Sequence, residues 1–192
     1  MRIAGLVGLA ALAAGLQAGS RGANPGSPAA PPDVTVYLEN GNAMFQVLTK
    51  SMIDRMFEAA GVRIAWRAGH PKQDAAGGLA VFVKLTDAVG RDRERRVMGR
   101  AFPFGSGVRR IEVFEDIVNA RAGATQIDAY KIMAHVLAHE IGHLLEGIDH
   151  HSATGIMKAA WTLDDYRAMA RHPLPFAEED LEMIHSRLEK MR

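Results

Sequence analysis

Residues 139–143 read His-Glu-Ile-Gly-His, an H-E-x-x-H pattern. On an α-helix, residues four apart turn through about 400°, so His139 and His143 stand about 40° apart on one face. Two imidazoles placed in this way reach one metal ion at about 2 Å each. Glu140 falls on the adjoining flank, about 100° from His139 and about 60° from His143. That position is poor for a third ligand but suits a general base that holds a water at the metal. The chemistry implied is hydrolysis by metal-activated water.

The chain contains no cysteine, so a zinc site here is built from His and carboxylate. A structural zinc closes its shell with four protein ligands, whereas a catalytic one keeps a place for water. His150 and His151 follow the pattern closely and are both candidates for the third ligand. His135 lies one turn before His139; packing or hydrogen bonding is its expected role, and a fourth ligand or a support to the ligands is the other reading.

The surrounding residues must form the helix that carries these groups. Ile132, Met133, Val136, Leu137, Ile141, Leu144 and Leu145 recur at three- and four-residue spacing and predict a buried apolar side. Gly142 is a poor helix former in mid-helix, which predicts a close neighbour. Gly147 follows the periodic run and is the expected helix stop, with the chain doubling back beyond it.

These residues resemble the metzincin clan of zinc metallopeptidases, which shows H-E-x-x-H, a glycine, a further His and a Gly-Ile-Met turn. HEIGHLLEGIDHHSATGIMKAAW is similar to small exported bacterial proteins of that type, which carry an H-S-x-x-G-[IV]-M-[KR] segment. The resemblance implies Zn²⁺ held by His139, His143 and one later His, with Glu140 as base and Met157 as the Met-turn residue beneath the metal. The family spacing is H-E-x-x-H-x-x-G-x-x-H, but position 146 here is Glu and the glycine comes one place later. Counting from Gly147 gives His150 as third ligand; matching the H-S-x-x-G-I-M segment gives His151, which is preferred. A tyrosine that follows the Met-turn closely in some metzincins is missing. The implied fold is α+β and zincin-like. A mixed twisted sheet of about four to five strands would pack on a long helix and the active-site helix, and a C-terminal helix would follow. The resemblance spans about residues 34–157, with only 139–157 specific.

Composition fits this frame. A chain of 192 residues accommodates one domain with a leader, and 48% hydrophobic with 23% charged residues is ordinary for a globular protein. A net charge of +1 points to neither nucleic acid nor a membrane surface as partner. Residues 1–18 carry one early Arg and then an apolar, small-residue run. The run is short for a membrane span and suits a signal peptide, cleaved after Ala18 or Ser20. Export to the periplasm or beyond is the expectation, with no stable membrane insertion after cleavage. Residues 19–33 are rich in Gly, Pro, Ala and Ser and form a flexible linker, leaving 34–192 as the catalytic domain.

Within that domain Val34–Leu38 predicts a strand, and Asn40–Asn42 a turn with Asn42 as cap. Phe45, Leu48, Met52, Ile53, Met56 and Phe57 predict a helix to about Ala60, stopped by Gly61. Val62–Trp66 and Leu79–Leu85 predict strands, the latter central because it is nearly all apolar at first. Residues 68–78 form a loop containing His70. Arg91–Arg96 alternate in charge and predict a solvated hairpin tip; binding an acidic substrate is the other reading. Val97–Phe102 and Arg110–Phe114 predict two more strands about the Gly105-Ser106-Gly107 turn. Strands beside a metal cleft offer an edge on which an extended peptide can pair. After Met157, Trp161 is expected to pack under the site, Thr162 and Asp165 to cap a helix, and Phe176–Met191 to form the closing amphipathic helix. His172 and His185 are expected on the surface.

The function expected is a zinc metallopeptidase, cleaving a peptide or protein substrate with metal-activated water and Glu140 as base. Two other classes fit the same motif: an exported zinc-binding or interaction module without turnover, and a zinc hydrolase of a non-peptide bond. A retained Glu140 argues against the first, because metal binding alone has no use for a base. Nothing in the sequence sets the oligomeric state.

Overall fold

The structure, a computed structural model, describes residues 31–38, 43–71, 78–102 and 108–191. The expected signal peptide, the linker up to Ala30 and the turns at Asn40–Asn42 and Gly105–Gly107 lie outside the described residues, as does the side chain of Phe45. The described part is an α+β domain with a five-stranded mixed sheet and six helices.

In chain order the elements are β1 (Val34–Leu38), α1 (Ala43–Ala59), β2 (Ile64–Ala68), β3 (Leu79–Thr86), α2 (Gly90–Arg95), β4 (Gly99–Phe102), β5 (Arg109–Phe114), α3 (Glu115–Thr125), α4 (Ala129–Glu146), α5 (Leu163–Met169) and α6 (Glu178–Met191). The sheet runs β2-β1-β3-β5-β4, parallel throughout except that β4 is antiparallel to β5. β3 is the middle strand; its Val81 and Val83, two residues apart and so on one face, are fully buried, while Phe82 and Lys84 on the other face are half-buried and exposed.

The hairpin expected around residues 91–96 does not form. β3 and β4 are not neighbours: β5 lies between them, and the connection contains α2, which ends at Arg96 in a left-handed conformation (φ 54°). α3, also unforeseen, sends only Val118 and Ala122 into the core. α1 forms where expected, but Leu48 is exposed and Thr49 is buried in its place. The buried row is Thr49, Met52, Ile53, Met56, Phe57 and Ala60, and Leu48 stands about 100° round the helix from Thr49.

α4 runs through the middle of the domain, against α1, α3, α6, β4 and β5. Its residues are apolar on nearly every side, the signature of an enclosed helix. From Ile132 to Glu146 every residue is buried except His139, which is half-buried. Gly147 ends the helix with φ 72°, and its N–H donates to His143 O at 2.9 Å. This left-handed turn is the one a glycine adopts without strain.

Candidate metal centre

α4 supplies His139 and His143, and the chain reversed at Gly147 brings His151 to them. One ring nitrogen from each of the three lies within 4.8 Å of the others, so the three can hold one metal ion. Ring centroids are 4.6 Å apart for His139 and His143, 5.3 Å for His139 and His151, and 4.9 Å for His143 and His151. His150 is not in this group; its ring approaches Asp180 instead. The two adjacent histidines thus point to different places.

The His139 ring is fixed from behind. His139 Nδ1 donates to Ile156 O at 2.9 Å, leaving Nε2 as the free lone pair. Trp161 Nε1 donates to the same carbonyl at 3.2 Å, and its ring lies edge-on to His139 at 5.9 Å. Trp161 therefore packs beside the centre and shares its anchor. Orientation of an imidazole by a carbonyl on its far nitrogen is the usual support for a metal ligand.

The nitrogens also fit a cation chemically. His139 Nε2 and His143 Nε2 are 3.0 Å apart. With the His139 proton on Nδ1, a proton on His143 Nε2 makes an N–H···N bond but leaves His143 Nδ1 buried without a hydrogen bond. With the proton on Nδ1 instead, two lone pairs face each other. Adding a second proton to the pair is opposed by burial, which lowers His139 and, joined by the charges of His139 and His151, holds His143 down at about 4. A cation between the two rings removes the conflict. His139, His143 and His151 fit zinc as donors, since neutral imidazole is a ligand of choice for that ion.

Glu140 is buried, at 7% exposure. Burial pushes its carboxyl up to about 8, while the Ala101 backbone N–H and Arg100 pull it the other way. The carboxylate is packed against β4: a Cβ on Gly99 would meet Glu140 Oε1 at 3.0 Å and Val136 Cγ1 at 2.8 Å. Only glycine lets the strand come so near. The hydrogen bond from Phe114 N–H to Met98 O sets the alternation along β4, so the backbone groups of Gly99 and Ala101 face away from β5.

Met157 is fully buried and lies against α4 at Gly142, where a Cβ would collide with its Sδ. The close neighbour predicted by Gly142 is therefore Met157. The turn that carries Met157 is held by Ser152 N–H to Met157 O at 3.1 Å and Ile156 N–H to Pro175 O at 2.9 Å. His135 is fully buried and takes no part in the centre: Nδ1 donates to Lys131 O at 2.7 Å and Nε2 accepts from Leu174 N–H at 3.0 Å. His172 and His185 are exposed, although His185 Nε2 donates to Ala60 O at 2.7 Å.

The centre opens into a cleft of about 720 Å³, with Gly99–Ala101 on one wall and Lys158–Trp161 on another. Arg95, Arg96 and Arg121 also line it, so the rim is basic. Tyr166, unforeseen in the sequence, completes the lining; it is buried, and Arg121 stacks over its ring at 5.4 Å. Burial raises its hydroxyl pKa, and the Arg121 charge partly offsets this. Tyr166 stands one turn after the Thr162 cap, on the same face of α5, and no local pattern in the sequence marks it as a lining residue.

The chain matches no protein-family model, and no curated protein is similar to it at a significant level.

Proposed function

We propose that this chain is a zinc-dependent hydrolase, most simply a metallopeptidase of metzincin type acting on an extended peptide. The observation that carries this reading is the opposed pair of Nε2 atoms on His139 and His143, with His151 closing the group on the cleft side. Zinc bound there would polarise the scissile carbonyl and acidify a water. His139, His143 and His151 would hold it, with Ile156 O fixing the His139 ring.

Glu140 carries the proton. A carboxyl poised above the ordinary range is suited to take a proton from water and return it to the leaving amine near neutral pH. The outward-facing groups of Gly99 and Ala101 offer antiparallel pairing to substrate backbone. Glu140 interacts with the Ala101 N–H, so its turn toward the water frees that donor for the substrate. The basic rim at Arg95, Arg96 and Arg121 favours substrates with acidic side chains near the cut. The apolar run at residues 1–18 supports export; no described helix is long and apolar enough to cross a membrane.

The test compares the chain with Glu140→Gln for zinc content and cleavage of an acidic-residue-containing peptide library. One catalytic zinc in both, with cleavage lowered by about 10²–10⁴-fold in the variant, is expected. Equal zinc with no cleavage by either chain would favour a binding module, and a His139→Ala/His143→Ala variant that binds as much zinc as the parent would refute the centre.

A further inference from the structure

A second group of ligating side chains gathers where the end of α4, the segment after Gly147 and the start of α6 meet. Glu146 is the last residue of α4, His150 follows the turn, and Glu179 and Asp180 lie in the first turn of α6. One atom each from His150, Glu179 and Asp180 lies within 4.8 Å of the others.

These groups are poorly satisfied by the protein alone. Asp180 is fully buried; its Oδ2 accepts from Ala177 N–H at 2.8 Å and from the Ser152 hydroxyl at 3.1 Å. Its Oδ1 has no hydrogen-bond partner and faces His150 Nε2 at 3.9 Å, which is too long for a hydrogen bond. His150 Nε2 is itself buried and unpartnered. Glu146 is 6% exposed, and neither of its oxygens has a partner. Of the six buried, unpartnered side-chain atoms among the described residues, two belong to this trio and two more to Glu146, on which the Asp180 and Glu179 charges act. Buried polar atoms in folded proteins are paired, and an exception asks for an unseen proton or ion. Burial and the nearby Asp180 and Glu179 charges push Glu146 up to about 8, so a proton can relieve that residue. A proton there still leaves Asp180 Oδ1 and His150 Nε2 facing each other without a bond.

We propose that His150, Glu179 and Asp180, with Glu146 beside them, bind a second divalent cation. One imidazole with two or three carboxylates suits zinc or manganese better than calcium, which takes oxygen ligands only. The ion would tie α6 to the segment that presents His151, holding the third ligand of the catalytic centre in place through its neighbour. The proposal goes beyond the hydrolase reading, because it requires a separate set of ligands with its own stoichiometry.

The experiment is equilibrium dialysis of the full chain against Zn²⁺, with bound metal measured per chain and folding checked by circular dichroism. Two ions per chain are expected, falling to one in His150→Gln and in Glu179→Gln. Both residues reach solvent, so neither substitution disturbs the core. A His139→Ala/His143→Ala variant should keep one ion, and Zn²⁺ should raise its Tm; adding His150→Gln should abolish both effects. One ion in the parent, unchanged in His150→Gln and Glu179→Gln and lost in His139→Ala/His143→Ala, would overturn the proposal and leave the first centre intact. One ion kept in His139→Ala/His143→Ala and lost in His150→Gln would support it and refute the first centre.

Discussion

Gly142→Ala separates packing at the centre from helix propensity, because the two effects have opposite signs. In an exposed helix the change stabilises by about 1 kcal/mol. Here the new methyl would collide with Met157 Sδ, approach Met157 Cε to 3.1 Å and touch Phe176 at 3.4 Å. Met157 is fully buried and Phe176 nearly so; the thioether therefore has no open space to turn into. Overpacking of this kind costs about 1–3 kcal/mol, so the net effect is a loss of up to about 2 kcal/mol. Met157→Ala opens the space and alone should cost about 2–5 kcal/mol. In the double variant the clash is gone, so the two losses should fall short of additivity by about 1–3 kcal/mol. Urea unfolding with a chelator present measures all three, since bound zinc would otherwise add its own stabilisation. A Gly142→Ala chain that gains about 1 kcal/mol, with an additive double variant, would refute the contact between the histidine helix and the Met157 turn.

Three further outcomes follow from the same structure. Burial lowers His135 to about 4 from an ordinary 6.5, so its contribution to stability is complete above about 6.5 and is lost as pH falls towards 4. His135→Phe should flatten that part of the acid-unfolding profile and, by stranding the Leu174 N–H, cost about 1–3 kcal/mol at pH 7. Glu140 behaves in the opposite sense: its carboxyl is raised to about 8, so the metal-free chain loses stability as pH rises from about 4.5 to 8. In chelator at pH 7, Glu140→Gln should therefore be more stable than the parent by an amount on the order of 3 kcal/mol, and a variant less stable than the parent would contradict the buried carboxyl. Finally, Thr162 and Asp165 form a reciprocal cap at α5. Thr162→Ala should lower stability by about 1 kcal/mol, seen as a Tm drop of about 2–4 °C in a thermal scan.

What the sequence made legible was local. His139 and His143 lie on one face because helix geometry alone puts them there, and Gly142 and Gly147 announced a close neighbour and a stop that both exist. The Thr162 cap was equally plain. The adjacency of His150 and His151 could be divided only by matching a segment, and the geometry does bring His151 to the other two histidines. What stayed hidden depended on pairing across long chain separations. The order of strands placed β5 between β3 and β4, turning an expected hairpin tip into α2. The fit of Gly99 against Glu140, and the meeting of Glu146 with Asp180, join residues from separate elements that no periodicity connects. Leu48 misled because a leucine one position off the buried row looks the same in sequence as one on it.

β4 has a further consequence as an edge. A strand whose outward groups pair with no other strand is open to any chain, including another copy of the same protein, and such edges seed aggregation. The protection here is brevity and charge. β4 has only four residues, and Arg100, paired with Asp92, sits in its middle among the arginines of the rim. A second copy would have to bring its own arginines against these, whereas an acidic extended chain would meet attraction. The same edge can thus admit a substrate while keeping copies of the protein apart, and high salt, by screening those charges, would weaken the safeguard.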